Sequence, residues 1–73
     1  MLKKSTEILI TTDYITLGQF LKLADIIESG GEAKSFLAEN EVKIDNEIDC
    51  RRGRKLRGGE IVEVCGQKFE IKK

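Results

Sequence analysis

The chain has 73 residues, and its 13 basic and 13 acidic side chains give a formal net charge of zero at pH 7. A chain this short buries only roughly 60% of its unfolded surface, which allows one small domain and argues against a deep catalytic cleft. Histidine is absent, and the 2 cysteines alone cannot supply a four-ligand zinc site or the framework of a secreted disulfide-rich domain.

The chain opens with a predicted strand and a predicted helix. Residues 6–11 are short and rich in β-branched side chains, which is typical of a strand. Thr16 has the residue type of a helix N-cap, because its hydroxyl can accept hydrogen bonds from the amides of the first turn. Beyond it, apolar residues recur with helical spacing up to the glycines near residues 29–31, and Gly18 allows close approach of another backbone. The apolar face contains Leu17, Phe20, Leu21, Ala24, Ile26 and Ile27.

A second helix is predicted from about residue 31 to Glu39, with Ser29 or Gly30 near its cap. Asn40 is expected to end it, since asparagine tolerates the left-handed conformation. The connection between the two helices is short, so they should pack against each other at an angle. The apolar face of this helix contains Ala33, Phe36 and Leu37.

The spacing of apolar residues changes to two in the rest of the chain. Val42 and Ile44 alternate with charged residues, residues 45–46 supply a turn, and a return strand begins at Glu47. Two further strands are expected at residues 61–65 and at the C-terminus, joined by a tight turn at Gly66 and Gln67. The expected fold class is α+β, with two packed helices on a small, mostly antiparallel sheet. The buried strand residues should include Val62, Val64 and Phe69.

A basic segment interrupts this pattern. Residues 51–60 read Arg-Arg-Gly-Arg-Lys-Leu-Arg-Gly-Gly-Glu, with five basic side chains in seven positions and no acid before Glu60. The glycines predict a loop with a strand to follow. The remainder of the chain is balanced or acidic, so the molecule should present one positive face. Such a loop suits a polyanionic backbone, and a solvated connector is the alternative.

The order of these segments resembles a known module. The order begins with a helix, the run Ser-Gly-Gly-Glu-Ala-Lys at residues 29–34 and a second helix. It continues with the run Val-Lys-Ile-Asp-Asn-Glu at residues 42–47, the basic segment, and Gly-Gly-Glu-Ile-Val-Glu-Val at residues 58–64. This order is similar to the RNA-binding domain named after small-subunit ribosomal protein S-four, also called the alpha-L motif. The resemblance covers roughly residues 16–64 of a single domain, 1–73, and is closest to small stand-alone bacterial members. In that family two helices and the following β-loop form one surface for structured RNA.

The family motifs match this chain only in part. The helix-two signature of serine, basic, two variable residues, alanine and basic falls on residues 29–34, where Gly30 replaces the first basic residue. The opening Arg-Leu-Asp of helix one falls on residues 16–18, where Thr16 replaces arginine. Because these two cations are lost, the resemblance shifts RNA binding toward the basic segment. The RNA-binding residues that we predict are Lys34, Lys43, Arg51, Arg52, Arg54, Lys55 and Arg57.

The resemblance implies a non-catalytic protein that docks on structured RNA, chiefly ribosomal RNA, during ribosome assembly, maturation or rescue. Arginine side chains can each contact two phosphate oxygens, and the glycines of the basic segment let its backbone approach closely. A protein-interaction module that binds an acidic partner through the same segment is the alternative. An enzyme is disfavoured, because the chain offers no histidine, zinc-ligand set or phosphate-binding loop.

Composition adds further expectations. No apolar run approaches the length of a membrane span and the N-terminus lacks a signal-peptide core, so we expect a cytoplasmic protein without membrane contact. We also expect it to be a monomer. We expect no cofactor and no metal, and reduced, dispensable thiols at Cys50 and Cys65. The helices should determine the fold and the basic segment the binding. Tyr14 is the one aromatic residue expected at the surface, with packing as its favoured role, and Lys22 is open between RNA contact and solvated charge.

Overall fold

The computed structural model describes residues 6–73; residues 1–5 of the predicted domain lie outside the described part. The described part confirms the α+β class, with two α-helices and a mostly antiparallel sheet. Its elements in chain order are β1 (Thr6–Leu9), β2 (Ile15–Thr16), α1 (Leu17–Leu23), a 3-10 turn (Gly30–Glu32), α2 (Ala33–Glu39), β3 (Val42–Ile44), β4 (Glu47–Ile48), β5 (Lys55–Leu56), β6 (Ile61–Val64) and β7 (Gln67–Lys72).

The strands form one five-stranded sheet and one short ribbon. The sheet has the order β1-β7-β6-β3-β4, with β1 parallel to β7 and every other pair antiparallel. Alternate residues of its central strands are buried together with the buried residues of both helices, so the helices cover one face and leave the other exposed. The ribbon pairs β2 with β5 and lies outside this sheet.

Helix α1 begins as the sequence predicts. The Thr16 hydroxyl accepts a hydrogen bond from the Gln19 amide at 3.2 Å, and the Gln19 side chain accepts one from the Thr16 amide at 2.9 Å. This reciprocal arrangement is a capping box. Gly18 allows the close approach of another backbone that the sequence predicts, since a Cβ there would lie 3.4 Å from both the Arg52 carbonyl oxygen and the Ala33 Cβ. The helix N-terminus therefore contacts both α2 and the basic segment closely.

Helix α1 ends earlier than predicted, at Leu23 instead of near residue 29. Asp25 takes the left-handed conformation, with φ 63°. Its amide donates to the Lys22 carbonyl at 3.1 Å, and the Ile26 amide donates to the Leu21 carbonyl at 2.9 Å. This pair of bonds is the Schellman motif, which stops a helix and is usually formed by glycine. The prediction was wrong because an aspartate takes the glycine position.

Helix α2 begins and ends close to its predicted bounds. A carboxylate oxygen of Glu32 accepts from the amides of Glu28 and Ser29, both at 3.0 Å, which holds the 3-10 turn in front of the helix. Asn40 ends the helix, with its side-chain amide donating to the Phe36 carbonyl at 3.0 Å. Its backbone is extended, with φ −127°, so the expected left-handed conformation was wrong and the side chain supplies the stop instead.

Two tight turns connect the antiparallel strands. Asp45 and Asn46 have φ values of 51° and 70°, as a type I′ turn requires, which confirms the predicted turn between β3 and β4. Cys65 and Gly66 have φ values of 52° and 74° and connect β6 to β7 in the same way. This second turn lies one residue earlier than predicted, so β6 ends at residue 64.

The core joins both helices to the sheet. The ring of Phe20 on α1 meets the ring of Phe69 on β7 edge to face, with centroids 5.2 Å apart. Most of the predicted core residues are buried, whereas Ala24 and Phe36 are only partly buried at its margin. The predicted core omitted Leu56, which lies inside the basic segment and is fully buried.

Candidate nucleic-acid interface

Residues 51–57, called the basic loop below, are anchored in the fold. Leu56 has no exposed surface, and with Lys55 it forms strand β5. This strand pairs with β2, so that Leu56 lies opposite Ile15 and Lys55 opposite Thr16. The expectation of an irregular loop is therefore wrong for these two residues, since a buried leucine and a strand pairing fix the backbone that carries the charges.

The basic loop also completes the first turn of helix α1. The Leu17 amide donates to the Arg54 carbonyl at 2.8 Å, and the Gly18 amide donates to the Arg52 carbonyl at 2.9 Å. Amides in the first turn of a helix have no partner within the helix, so these loop carbonyls satisfy them. The loop and the helix N-terminus consequently form one surface.

One buried acid holds two of the loop arginines. Asp49 is only 8% exposed, and one of its oxygens accepts from the Arg51 amide at 2.9 Å and from Arg51 Nε at 3.2 Å. The other oxygen accepts from Arg51 Nη2 at 2.9 Å and Arg54 Nη1 at 3.0 Å. The Arg51 side chain is nevertheless 73% exposed, so a second anion can reach it from solvent.

These hydrogen bonds shift the pKa values of Asp49 and Arg51. Hydrogen bonds from the Arg51 side chain, together with those from its amide and from Arg54, hold the pKa of Asp49 well below its usual range, although burial opposes the shift. The same hydrogen bond raises the pKa of Arg51. Asp49 is therefore an ionised anchor that orients Arg51 and Arg54.

We expect Asp49→Asn to lower the free energy of unfolding at pH 7, because Arg51 and Arg54 lose their charged hydrogen-bond acceptor. The loss should be only about 1–2 kcal/mol, because solvent screens the exposed Arg51. A lowered folded-state pKa stabilises the fold above the unfolded-state pKa of about 3.9, and this contribution is lost as pH falls toward the folded-state pKa. The difference between the two proteins in urea unfolding should therefore shrink from pH 7 to pH 3. Asp13→Asn is the control, since the Asp13 side chain is 95% exposed. An equal difference at both pH values for Asp49→Asn would contradict the assignment.

The remaining loop cations are exposed and lie beside two different features of the surface. Lys55 Nζ lies 4.9 Å and Arg57 Cζ 5.6 Å from the centre of the Tyr14 ring. Arg52 is exposed and lines a shallow groove of about 400 Å³ between α1, the 3-10 turn and the loop. Lys22, which the sequence left open, lines the same groove. The structure thus adds Lys22 to the candidate surface.

The two predicted cations outside the loop are placed differently. Lys34 is exposed in the first turn of α2, directly after Ala33, which lines the groove beside Arg52. Lys43 lies on the exposed face of the sheet, opposite Glu63 of β6 in the strand register. The helices cover the other face, so the fold gives Lys43 an acidic neighbour on the open face of the sheet.

Within residues 6–73 no helix is long and apolar enough to cross a membrane. Nor does this part of the chain group three or more potential metal-ligating side chains. Cys50 and Cys65 are both exposed and unpaired with each other.

Comparison with known proteins gives one family. A family profile described as "S4 domain" matches residues 8–72. A Bacillus subtilis (strain 168) protein named "Probable ribosome maturation protein RlbA" is 63% identical over 57 residues, which cover 78% of this chain and 80% of that protein. An Escherichia coli (strain K12) protein named "Putative RNA-binding protein YbcJ" is 33% identical over 58 residues, which cover 80% and 83% of the two chains. The resemblance seen in the sequence is thereby confirmed, and the chain belongs to the S4 domain family.

Proposed function

We propose that this protein binds structured ribosomal RNA without catalysing a reaction, and acts in the maturation or rescue of a ribosomal subunit. The observation that carries the proposal is the anchored basic loop, whose exposed arginines share one surface with the N-terminus of α1. Family membership and the names of the two relatives support the same function. We further propose that residues 1–73 act as one cytoplasmic monomer, with the alpha-L surface at residues 16–64.

The chemistry of the surface favours phosphate backbone over base edges. An arginine fork can donate to two phosphate oxygens at once, and Arg52 and Arg57 are both exposed. A-form RNA hides its base edges in a deep, narrow major groove, so a protein surface reads its shape and its backbone. The strand pairing and the Asp49 contacts hold the loop in place before binding, which lowers the entropic cost of association.

Binding should begin at the loop and be oriented by the helices. The loop carries five cations, and the nearest acids in the chain, Asp49 and Glu60, are both engaged: Asp49 by arginine side chains and Glu60 by the amides of Arg57 and Gly58 at 2.8 and 2.7 Å. The loop therefore keeps a positive excess although the chain as a whole is neutral. Lys22 lines the groove next to it, and Lys34 directly follows Ala33 of that groove, so these two lysines would fix the angle at which RNA docks.

Ultraviolet crosslinking in cells, followed by sequencing of the bound RNA, tests this function. We expect the reads to concentrate in a few segments of ribosomal RNA, and to disappear when Arg52 and Arg57 are changed to glutamate. Reads spread over all cellular RNA in proportion to abundance would contradict the proposal. Capture of an acidic protein in place of RNA would favour the interaction module that the sequence left as the alternative.

A further inference from the structure

Tyr14 lies beside the basic loop and has no part in the phosphate contacts proposed above. The residue is 39% exposed, although the sequence favoured a packing role for it. Its position is fixed locally, because its carbonyl accepts a hydrogen bond from the Thr12 hydroxyl at 2.7 Å and the next residue, Ile15, is buried and paired with β5. The molecule thus holds an aromatic ring at the surface in a defined place.

Two loop cations accompany this ring. Lys55 Nζ stands 4.9 Å and Arg57 Cζ 5.6 Å from its centre. Both cations lie over the ring face, and both residues are exposed on long side chains, so each can move from the ring to a phosphate when a base takes its place. An aromatic face next to cations matches the two parts of a nucleotide, which are a flat base and an anionic phosphate one sugar away.

An open groove of about 930 Å³ extends from the ring. It runs between the segment that joins β1 to β2 and helix α1, and Gln19, Lys22 and the exposed Leu23 line its helical side. Half of its lining residues are apolar and half are polar, among them Asp13, which pairs with Lys73 at 4.0 Å. Lys22 also lines the groove beside Arg52. The groove is therefore continuous, through Lys22 and through Tyr14, with the surface that we assign to RNA.

We propose that Tyr14 and this groove take one unpaired nucleobase of the bound RNA, which stacks on the tyrosine ring, while Lys55 and Arg57 hold the adjoining phosphates. This inference rests on the proposed function and deepens it. It predicts that the protein prefers RNA in which a helix borders an unpaired nucleotide, since the loop contacts the helical backbone and the tyrosine takes the base beside it.

The chain contains 1 tyrosine and no tryptophan, so its intrinsic fluorescence reports on Tyr14 alone. The probes are a blunt-ended RNA duplex and the same duplex with a short single-stranded extension. We expect the extended duplex to quench the fluorescence, and the blunt duplex to bind with little quenching. Tyr14→Leu should weaken binding of the extended duplex roughly 10-fold and leave the blunt duplex unchanged, whereas Tyr14→Phe keeps the preference. Thermal unfolding of both variants checks that they fold.

The outcomes separate this inference from the function on which it rests. If both duplexes bind in a salt-sensitive way but neither quenches Tyr14, or if Tyr14→Leu weakens both equally, the base site is overturned and RNA binding stands. If the native protein binds neither duplex, both proposals fall. A Tyr14→Phe variant that loses the preference for the extension would also overturn stacking, because phenylalanine retains the ring face.

Discussion

Changing Arg52 and Arg57 together to glutamate should weaken RNA binding by at least about 100-fold, since each change removes an attraction to phosphate and adds a repulsion. Both side chains are exposed, so the free energy of unfolding should stay nearly unchanged. Arg54 is a poorer choice for this test, because it is only 30% exposed and is bonded to Asp49. A glutamate there would place two carboxylates side by side and disturb the loop itself.

A control variant is needed to show that the loss of affinity comes from charge on the basic loop and not from the net charge of the protein. Lys68→Glu with Lys72→Glu changes the net charge of the protein by the same amount, on exposed residues of β7 that lie on the sheet face opposite the helices. We expect this control to lose only a few-fold in affinity, through the weaker long-range field. Affinities measured by fluorescence anisotropy at one salt concentration decide the matter. Equal losses in the two double variants would show that the basic loop is not the seat of binding.

Leu56→Ala should lower the free energy of unfolding by about 2–5 kcal/mol, which is large against the roughly 4–11 kcal/mol expected for a domain of this size. Leu56 is fully buried and belongs to the core cluster that joins the helices to the sheet, so its removal leaves a cavity. The ribbon that orients the loop should loosen at the same time. RNA affinity is therefore expected to fall even at temperatures where the variant remains folded.

The neighbouring residue gives a matched control. Lys55 lies on the same strand with an exposed side chain, and Lys55→Ala keeps the backbone pairing with Thr16. It should change the free energy of unfolding by less than about 0.5 kcal/mol. Urea unfolding of both variants measures the contrast. A cost below about 1 kcal/mol for Leu56→Ala would mean that the basic loop is not anchored through the core.

Much of the fold could be predicted because local chemistry and tertiary structure agree. Thr16 caps a helix by its own hydroxyl, and Asp45 with Asn46 forms the turn that their tolerance of positive φ indicates. The early end of α1 could not be read in the same way, since Asp25 takes a conformation that glycine usually takes. Local sequence does not specify which polar residue accepts that strain.

The sequence predicted where the positive charge of the candidate site lies, but not the contacts that hold the basic loop in place. The run of basic residues located the loop, and a leucine among them was a signal that this stretch reaches the core. The pairing of Leu56 with Ile15 joins positions far apart in the sequence, and no local pattern shows it. The sequence does not distinguish Asp49 from the other acids of the chain, because its bond to Arg51 depends on the folded loop. Alternation does place Lys43 between two buried residues and hence on the exposed face of the sheet.

The most direct test of phosphate-backbone binding by the basic loop is the dependence of RNA affinity on salt concentration. Each neutralised phosphate contributes roughly 0.7–0.9 to the slope of log affinity against log salt concentration. We expect a slope equivalent to about three to five contacts for the native protein at four salt concentrations, and a slope lower by roughly one unit for Arg52→Ala or Lys34→Ala. A slope near zero, or one that stays unchanged when Arg52 and Arg57 are both glutamate, would contradict RNA seating on this loop.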